Sequence, residues 1–135
     1  MTNLILLVGD EDRADSPLKL ALTKVASEFR VESVKTPAEI ETLPPPSVVL
    51  LDLKLSREPV FDILRWLRSD QRYRQTPVFV LAPRTDDVAN AYALGANSCL
   101  LKLPSQGVET IAQGIAAYAS LIAQPAPSGW ASATV

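Results

Sequence analysis

The sequence predicts an α/β fold, a doubly wound, five-stranded parallel sheet with five helices packed over its two faces. Three observations lead there. Five short apolar runs recur along the chain, longer segments of helical period alternate with them, and three of the runs are apolar almost throughout. Continuous apolar strands belong to a parallel sheet covered on both sides, where the in-out alternation disappears because neither face meets water. A βα order repeated five times then implies right-handed crossovers with helices on both faces.

The first strand is "LILLV", residues 4 to 8. Ser16-Pro17 follows, a capping hydroxyl before a proline at the first helical position, and reads as a helix start. The second strand is "VESV", residues 31 to 34. Thr36-Pro37-Ala38-Glu39 opens the next helix as a capping box, and Pro44 to Pro46 must end it, since proline lacks the amide donor. "VVLL", residues 48 to 51, is the third strand. In "VFDILRWLRSD" Val60, Ile63, Leu64 and Leu67 fall at helical spacing, which turns Arg65 and Arg68 outward. "VFVL", residues 78 to 81, is the fourth strand. Thr85 is placed to cap "DDVANAYAL", with two acids in its first turn and Gly95 as the left-handed stop. "SCLL", residues 98 to 101, is the fifth strand; Ser105 is placed to cap the last helix, where Val108, Ile111, Ile115 and Leu121 or Ile122 form an apolar stripe.

With 135 residues, 47% of them hydrophobic, the chain suits one core rather than two. Residues 1–123 are read as the domain, and the Pro, Ser and Ala rich residues 124–135 as a flexible C-terminal tail in which Trp130 has no periodic partner. A net charge of −2 gives no electrostatic reason to bind nucleic acid directly. No apolar stretch reaches the length of a membrane span, and "MTNLILLVGDED" lacks a basic leader, so a cytoplasmic protein is expected. Without histidine the chain has no His/Cys zinc site and no Ser-His or Cys-His nucleophile pair, so an enzyme of those classes is not expected. The single Cys99 reads as a small core residue.

The aspartate that closes "VVLLD" is the informative residue. A buried carboxylate costs several kcal/mol, roughly, so Asp52 must sit at the mouth of its strand, where it stays hydrated. In doubly wound sheets ligands bind outside the carboxyl ends of the strands, where strand order reverses. "GDEDRAD" follows the first strand, Ala82-Pro83 the fourth and Lys102 the fifth. If the first and third strands are neighbours, Asp10 and Asp52 face one crevice and Lys102 joins them. Two carboxylates about 4 Å apart repel by roughly 4 kcal/mol at an effective dielectric near 20, so the pocket favours a cation, and oxygen ligands suit Mg²⁺. A carboxylate beside a divalent cation and a lysine is equipped to attack phosphorus.

Through "LILLVGDED", "VVLLDLKL", "ILRWLRSDQRYRQTPVFVLA" and "AYALGANSCLLK", residues 3 to about 122 resemble the response-regulator receiver domain of two-component signalling, especially its single-domain members. The resemblance implies the flavodoxin-like topology, with Asp52 as phosphoryl acceptor and Lys102 as phosphate contact. It implies Mg²⁺ held by Asp10, Asp52 and the backbone carbonyl of Lys54. The donor would be a phosphohistidine on a sensor histidine kinase or phosphotransfer protein, and output would pass to a downstream protein partner.

The sequence departs from the family pattern at six places. Gly9 stands where the first of two paired acids is usual, Ala82 where a Ser or Thr hydroxyl couples phosphorylation to shape, and Cys99 where the fifth strand usually carries an aromatic. The Lys-Pro pair reads Lys102-Leu103-Pro104, Pro59-Val60 occupies the usual Asp-Gly turn, and "APRTDD" is about two residues shorter than usual. These motivate an alternative to that first reading, a degenerate receiver acting as a phosphorylation-independent interaction module. Tyr92, Ala112, Ala116, Ala117 and Ala119 lie on the last two helices, the surface that receivers use for output or homodimers. Trp66 is read as core cover or partner contact, and Arg65, Arg68, Arg72 and Arg74 as a solvated helix end. A flavin carrier of the same topology is disfavoured, because "GDEDRAD" would repel the FMN phosphate.

Overall fold

The computed structural model describes residues 3–9, 17–53, 57–101 and 107–122, without the side chains of Arg57, Glu58 and Ile122. Among the described residues strands and helices alternate: β1 (Leu4–Val8), α1 (Pro17–Val25), β2 (Arg30–Val34), α2 (Pro37–Glu41), β3 (Val48–Asp52), α3 (Arg57–Ser69), β4 (Val78–Ala82), α4 (Asp86–Ala93), β5 (Ser98–Leu101) and α5 (Val108–Ile122). The strands form one parallel sheet in the order β2-β1-β3-β4-β5. Strand order reverses between β1 and β3, which places the switch point there. The three inner strands are the three continuous apolar runs, and every residue of β4 is buried. The outer strands β2 and β5 are only partly covered, as their mixed sequences require.

Each face of the sheet carries its own apolar layer. On one side Leu6, Val8, Val49, Leu51, Val78 and Val80 pack under Ile40, Val60, Ile63, Leu64, Leu67 and Ala91. On the other Ile5, Leu50, Phe79 and Leu81 meet Leu18, Leu22, Ile111 and Ile115. Trp66 leans on the first layer with its ring 5.3 Å from that of Tyr73, so it covers core. Tyr118 packs edge-on against Phe79 with ring centroids 4.5 Å apart.

Three expectations need correction. Ala112, Ala116 and Ala119 are buried, because small side chains let α5 lie close to α1 and the sheet; Ala117 remains exposed. Leu121 leaves the apolar stripe altogether at 78% exposure. Arg68 does not turn outward. Its Nε donates to Gly95 O at 2.8 Å, Nη1 to Thr76 O at 2.9 Å, Arg74 O at 3.0 Å and Tyr73 O at 3.2 Å, and Nη2 to Asn97 Oδ1 at 2.7 Å. The guanidinium fork thus fills a turn-lined gap that sequence periodicity could not show, and partial burial lowers its pKa.

The caps differ as well. Thr36 caps α2 as expected: Glu39 N donates to its Oγ1 at 3.2 Å, and the Glu39 carboxylate reaches back to Lys35 N at 3.1 Å. Thr85 makes no such bond, since its backbone is already helical at φ −63 and ψ −25 and a capping side chain needs extended backbone. Gly95 ends α4 with φ +106, where a β-carbon would also lie 2.8 Å from Arg68 Cγ. The expected caps Ser16 and Ser105, and the whole of residues 123–135, lie outside the described residues.

Candidate functional site

At the carboxyl edge of the sheet, four fully or nearly fully buried residues, Val48 to Leu51, lead into Asp52. Asp52 closes β3 rather than following it, opposite Leu81 of β4, and is only partly covered, although its Oδ1 is buried. β1 and β3 are neighbours, with Val8 paired to Leu51, so the position just after β1 adjoins Asp52. Gly9 occupies that position. A β-carbon at Gly9 would stand 3.2 Å from Asp52 Cβ, so the glycine opens space directly beside the aspartate. A cavity of about 120 Å³ adjoins that opening, lined by Val8, Gly9, Lys35, Pro59, Val60 and Ile63.

Of the residues assigned to the site from sequence, the structure describes Asp52; Asp10, Lys54 and Lys102 lie outside the described residues, as do Glu11, Asp12 and Asp15. The donor set can still be tested. Asp52 supplies carboxylate oxygens at a strand mouth, which suits a hard cation with retained waters, so Mg²⁺ fits the residue chemistry. Gly9 supplies no ligand, and no group of three metal-ligating side chains occurs among the described residues.

Ala82 is wholly buried at the end of β4 and carries no hydroxyl. Sequence reasoning missed a buried residue of α4. Asp87 is the buried charged residue of the described core, 1% exposed, although its position in the first turn of α4 was explained by the helix dipole alone. Burial raises the pKa of the Cys99 thiol, and the Asp87 carboxylate raises it further. Tyr92 adds a contact from the same helix: Cys99 N donates to its Oη at 3.1 Å. An aromatic therefore does reach β5, but from α4 and held on the backbone.

The Mn(2+)-bound form of response regulator Rcp1 has a TM-score of 0.64 and is 28% identical, over 86% of this chain and 93% of that one. Bacteriophytochrome response regulator RtBRR gives the same TM-score and identity, over 86% and 78% of the two chains. The chain has the receiver-domain fold of response regulators. The phosphorylated cyanobacterial phytochrome response regulator RcpA matches this receiver over 100% of its chain and 98% of its own, with a TM-score of 0.72 and 22% identity, a likeness of fold. Among curated proteins, the transcriptional regulatory protein GltR of Pseudomonas aeruginosa is 31% identical over 103 residues, 73% of this chain. The receiver spans 42% of that protein's length. No family model matches the chain. The neighbours support a role in two-component signalling. No helix of the described residues is long and apolar enough to cross a membrane.

Proposed function

We propose that this receiver accepts a phosphoryl group on Asp52 from a histidine kinase or phosphotransfer protein and signals through protein contacts. The observation that carries the reading is the position of Asp52: a carboxylate closing a buried inner strand at the switch point, open on one side to the crevice. In the transfer an Asp52 oxygen attacks phosphorus as the P–N bond to the donor histidine breaks. The electron pair and a proton go to the imidazole. Asp10, Asp52 and the Lys54 carbonyl would hold Mg²⁺, which when bound offsets charge on the incoming group. Lys102 steadies the phosphoryl oxygens. The acyl phosphate carries a charge of about −1.5 to −2 where the carboxylate carried −1, a change at the crevice available to bias a surface that a partner reads.

That surface is assigned to α4 and α5, where Tyr92 and Leu121 are exposed, as the face for a downstream protein or a second copy of the chain. The domain is taken as residues 1–123, in a cytoplasmic setting. A second reading has its own support: Gly9 withholds a metal ligand, and the buried Ala82 and the Tyr92 bond to Cys99 replace the usual coupling groups. It makes the chain an interaction module that works without phosphorylation. Intact mass after incubation with acetyl phosphate, with and without Mg²⁺, separates the two. One added phosphoryl group in wild type and none in Asp52→Asn supports the acceptor; no adduct in either leaves the module.

A further inference from the structure

Helix α1 turns Leu18, Ala21 and Leu22 into the core, yet two of its outward positions are apolar as well. Leu20 is 56% exposed and Val25 38%. Both line one cavity of about 300 Å³, whose other apolar walls are Pro17 and Ala21 of α1 and Val108 of α5. Lys24 and Glu109 complete the lining, one cation and one carboxylate, each on an exposed residue. A hollow of this make-up fits a single amphipathic ring. The apolar body enters, a ring N–H donates to the carboxylate, and the ammonium lies over the π face. A stable dimer needs about 1,000 Å² of buried surface, far more than one such hollow offers. The chain carries a ring of the right kind outside the described residues. Residues 123–135 continue from α5, and Trp130 is their one aromatic, set among small residues and prolines.

We propose that Trp130 seats in this hollow between α1 and α5, so that the C-terminal segment doubles back along its own domain and covers Leu20 and Val25. The reach suffices. From Ile122 back to Val108, the far wall of the hollow, the helix covers about 21 Å at 1.5 Å per residue. The chain from Ile122 to Trp130 contains Pro125 and Pro127, and at about 3.1 Å per residue a proline-rich chain of that length spans about 25 Å. Those prolines also reduce what docking costs, because a chain already restricted in φ has less freedom to lose. An indole buries about 150–250 Å² of surface, an amount no other side chain of the segment supplies. The seat stands apart from the reading of Asp52 as acceptor.

Amide NMR spectra of the full, isotopically labelled chain test the proposal on wild type, Trp130→Ala, Leu20→Asp and Lys24→Gln. Trp130→Ala is expected to shift the amides of Leu20, Lys24, Val25 and Glu109 and to leave Asp62 and Arg65 of α3 unmoved. Leu20→Asp changes an exposed position, and an unchanged Tm confirms that the fold is kept. It is expected to move the Trp130 indole N–H signal to its place in a free peptide of residues 123–135. Lys24→Gln is expected to weaken the seat about two- to five-fold, the factor an exposed cation–π contact carries, read from where the indole signal falls between its wild-type and peptide positions. Unshifted α1 amides in Trp130→Ala, a wild-type indole signal at the peptide position, or a Lys24→Gln signal equal to wild type overturns the proposal. A nitroxide on Ser128→Cys, in a Cys99→Ser chain, separates the chain's own segment from a second copy. Broadening of Leu20 and Val25 by a nitroxide on the same chain, with none from a nitroxide on other chains mixed in, supports the seat. Broadening by the mixed-in chains makes a second copy the occupant and overturns it.

Discussion

Replacing Arg68 with alanine removes the donor that joins the end of α3, the 70–77 turn and the turn between α4 and β5. The lost bonds run to Gly95 O at 2.8 Å, Thr76 O at 2.9 Å, Arg74 O at 3.0 Å, Tyr73 O at 3.2 Å and Asn97 Oδ1 at 2.7 Å. Three carbonyls share one nitrogen, so the set is counted as about three full bonds rather than five. A charged donor contributes about 1.5 kcal/mol net per bond at the low end, and partial exposure lets water replace some of it, so the loss is about 2–4 kcal/mol. Unfolding entropy of about 2.1 cal/mol/K per residue over the ordered domain gives roughly 0.25 kcal/mol/K, so Tm falls by about 8–16 °C. Thermal melts followed by circular dichroism, with urea melts to check that the m-value is unchanged, provide the measurement. Lysine at 68 should recover less than half of the loss, because one ammonium cannot bridge both Gly95 O and Asn97 Oδ1. A Tm drop below about 3 °C in the alanine variant, or a lysine variant equal to wild type, would refute the clasp. Amide exchange offers a local check. Val78 N donates to the same Asn97 Oδ1 at 2.8 Å and should lose protection first.

Further predictions follow from the caps and the titrating groups. Thr36→Ala should destabilise by about 1 kcal/mol, whereas Thr85→Ala should be nearly neutral in the same urea melts, because only Thr36 accepts from its helix. The Asp70 carboxyl is held at about 2, chiefly by hydrogen bonds from the Arg72 side chain and then its backbone, against an ordinary 3.8. Its folded pKa lies below its unfolded one, so its stabilising contribution is present above about pH 4 and lost as pH falls toward 2; Asp70→Asn should flatten that limb of the stability curve. The Cys99 thiol, raised by burial and by Asp87, should alkylate more slowly at pH 8 than the same thiol in urea-unfolded chain, and Asp87→Asn should speed the native reaction. Equal rates in wild type and variant would show that the carboxylate does not reach the sulfur.

The order of elements and the position of Asp52 were legible in the sequence, because both follow from local rules. Apolar runs of strand length set β1, β3 and β4 as inner strands, and an acid ending such a run has only the strand mouth to occupy. The Thr36 box and the Gly95 stop were equally local and both formed. What failed needed distance in sequence but nearness in space. Arg68 falls on the outward side of its helix by periodicity, and only the turn 27 residues away at Gly95 gives its guanidinium a place to bond. Asp87 became buried where α4 packs on the sheet, and the alanines of α5 through the approach of α1. Tertiary structure also decided that Gly9 stands beside Asp52, since β1 and β3 are adjacent in the sheet though not along the chain. Patterning fixes which face a residue can turn inward, because that follows from backbone period; which partner waits there depends on how elements far apart in the chain are packed together.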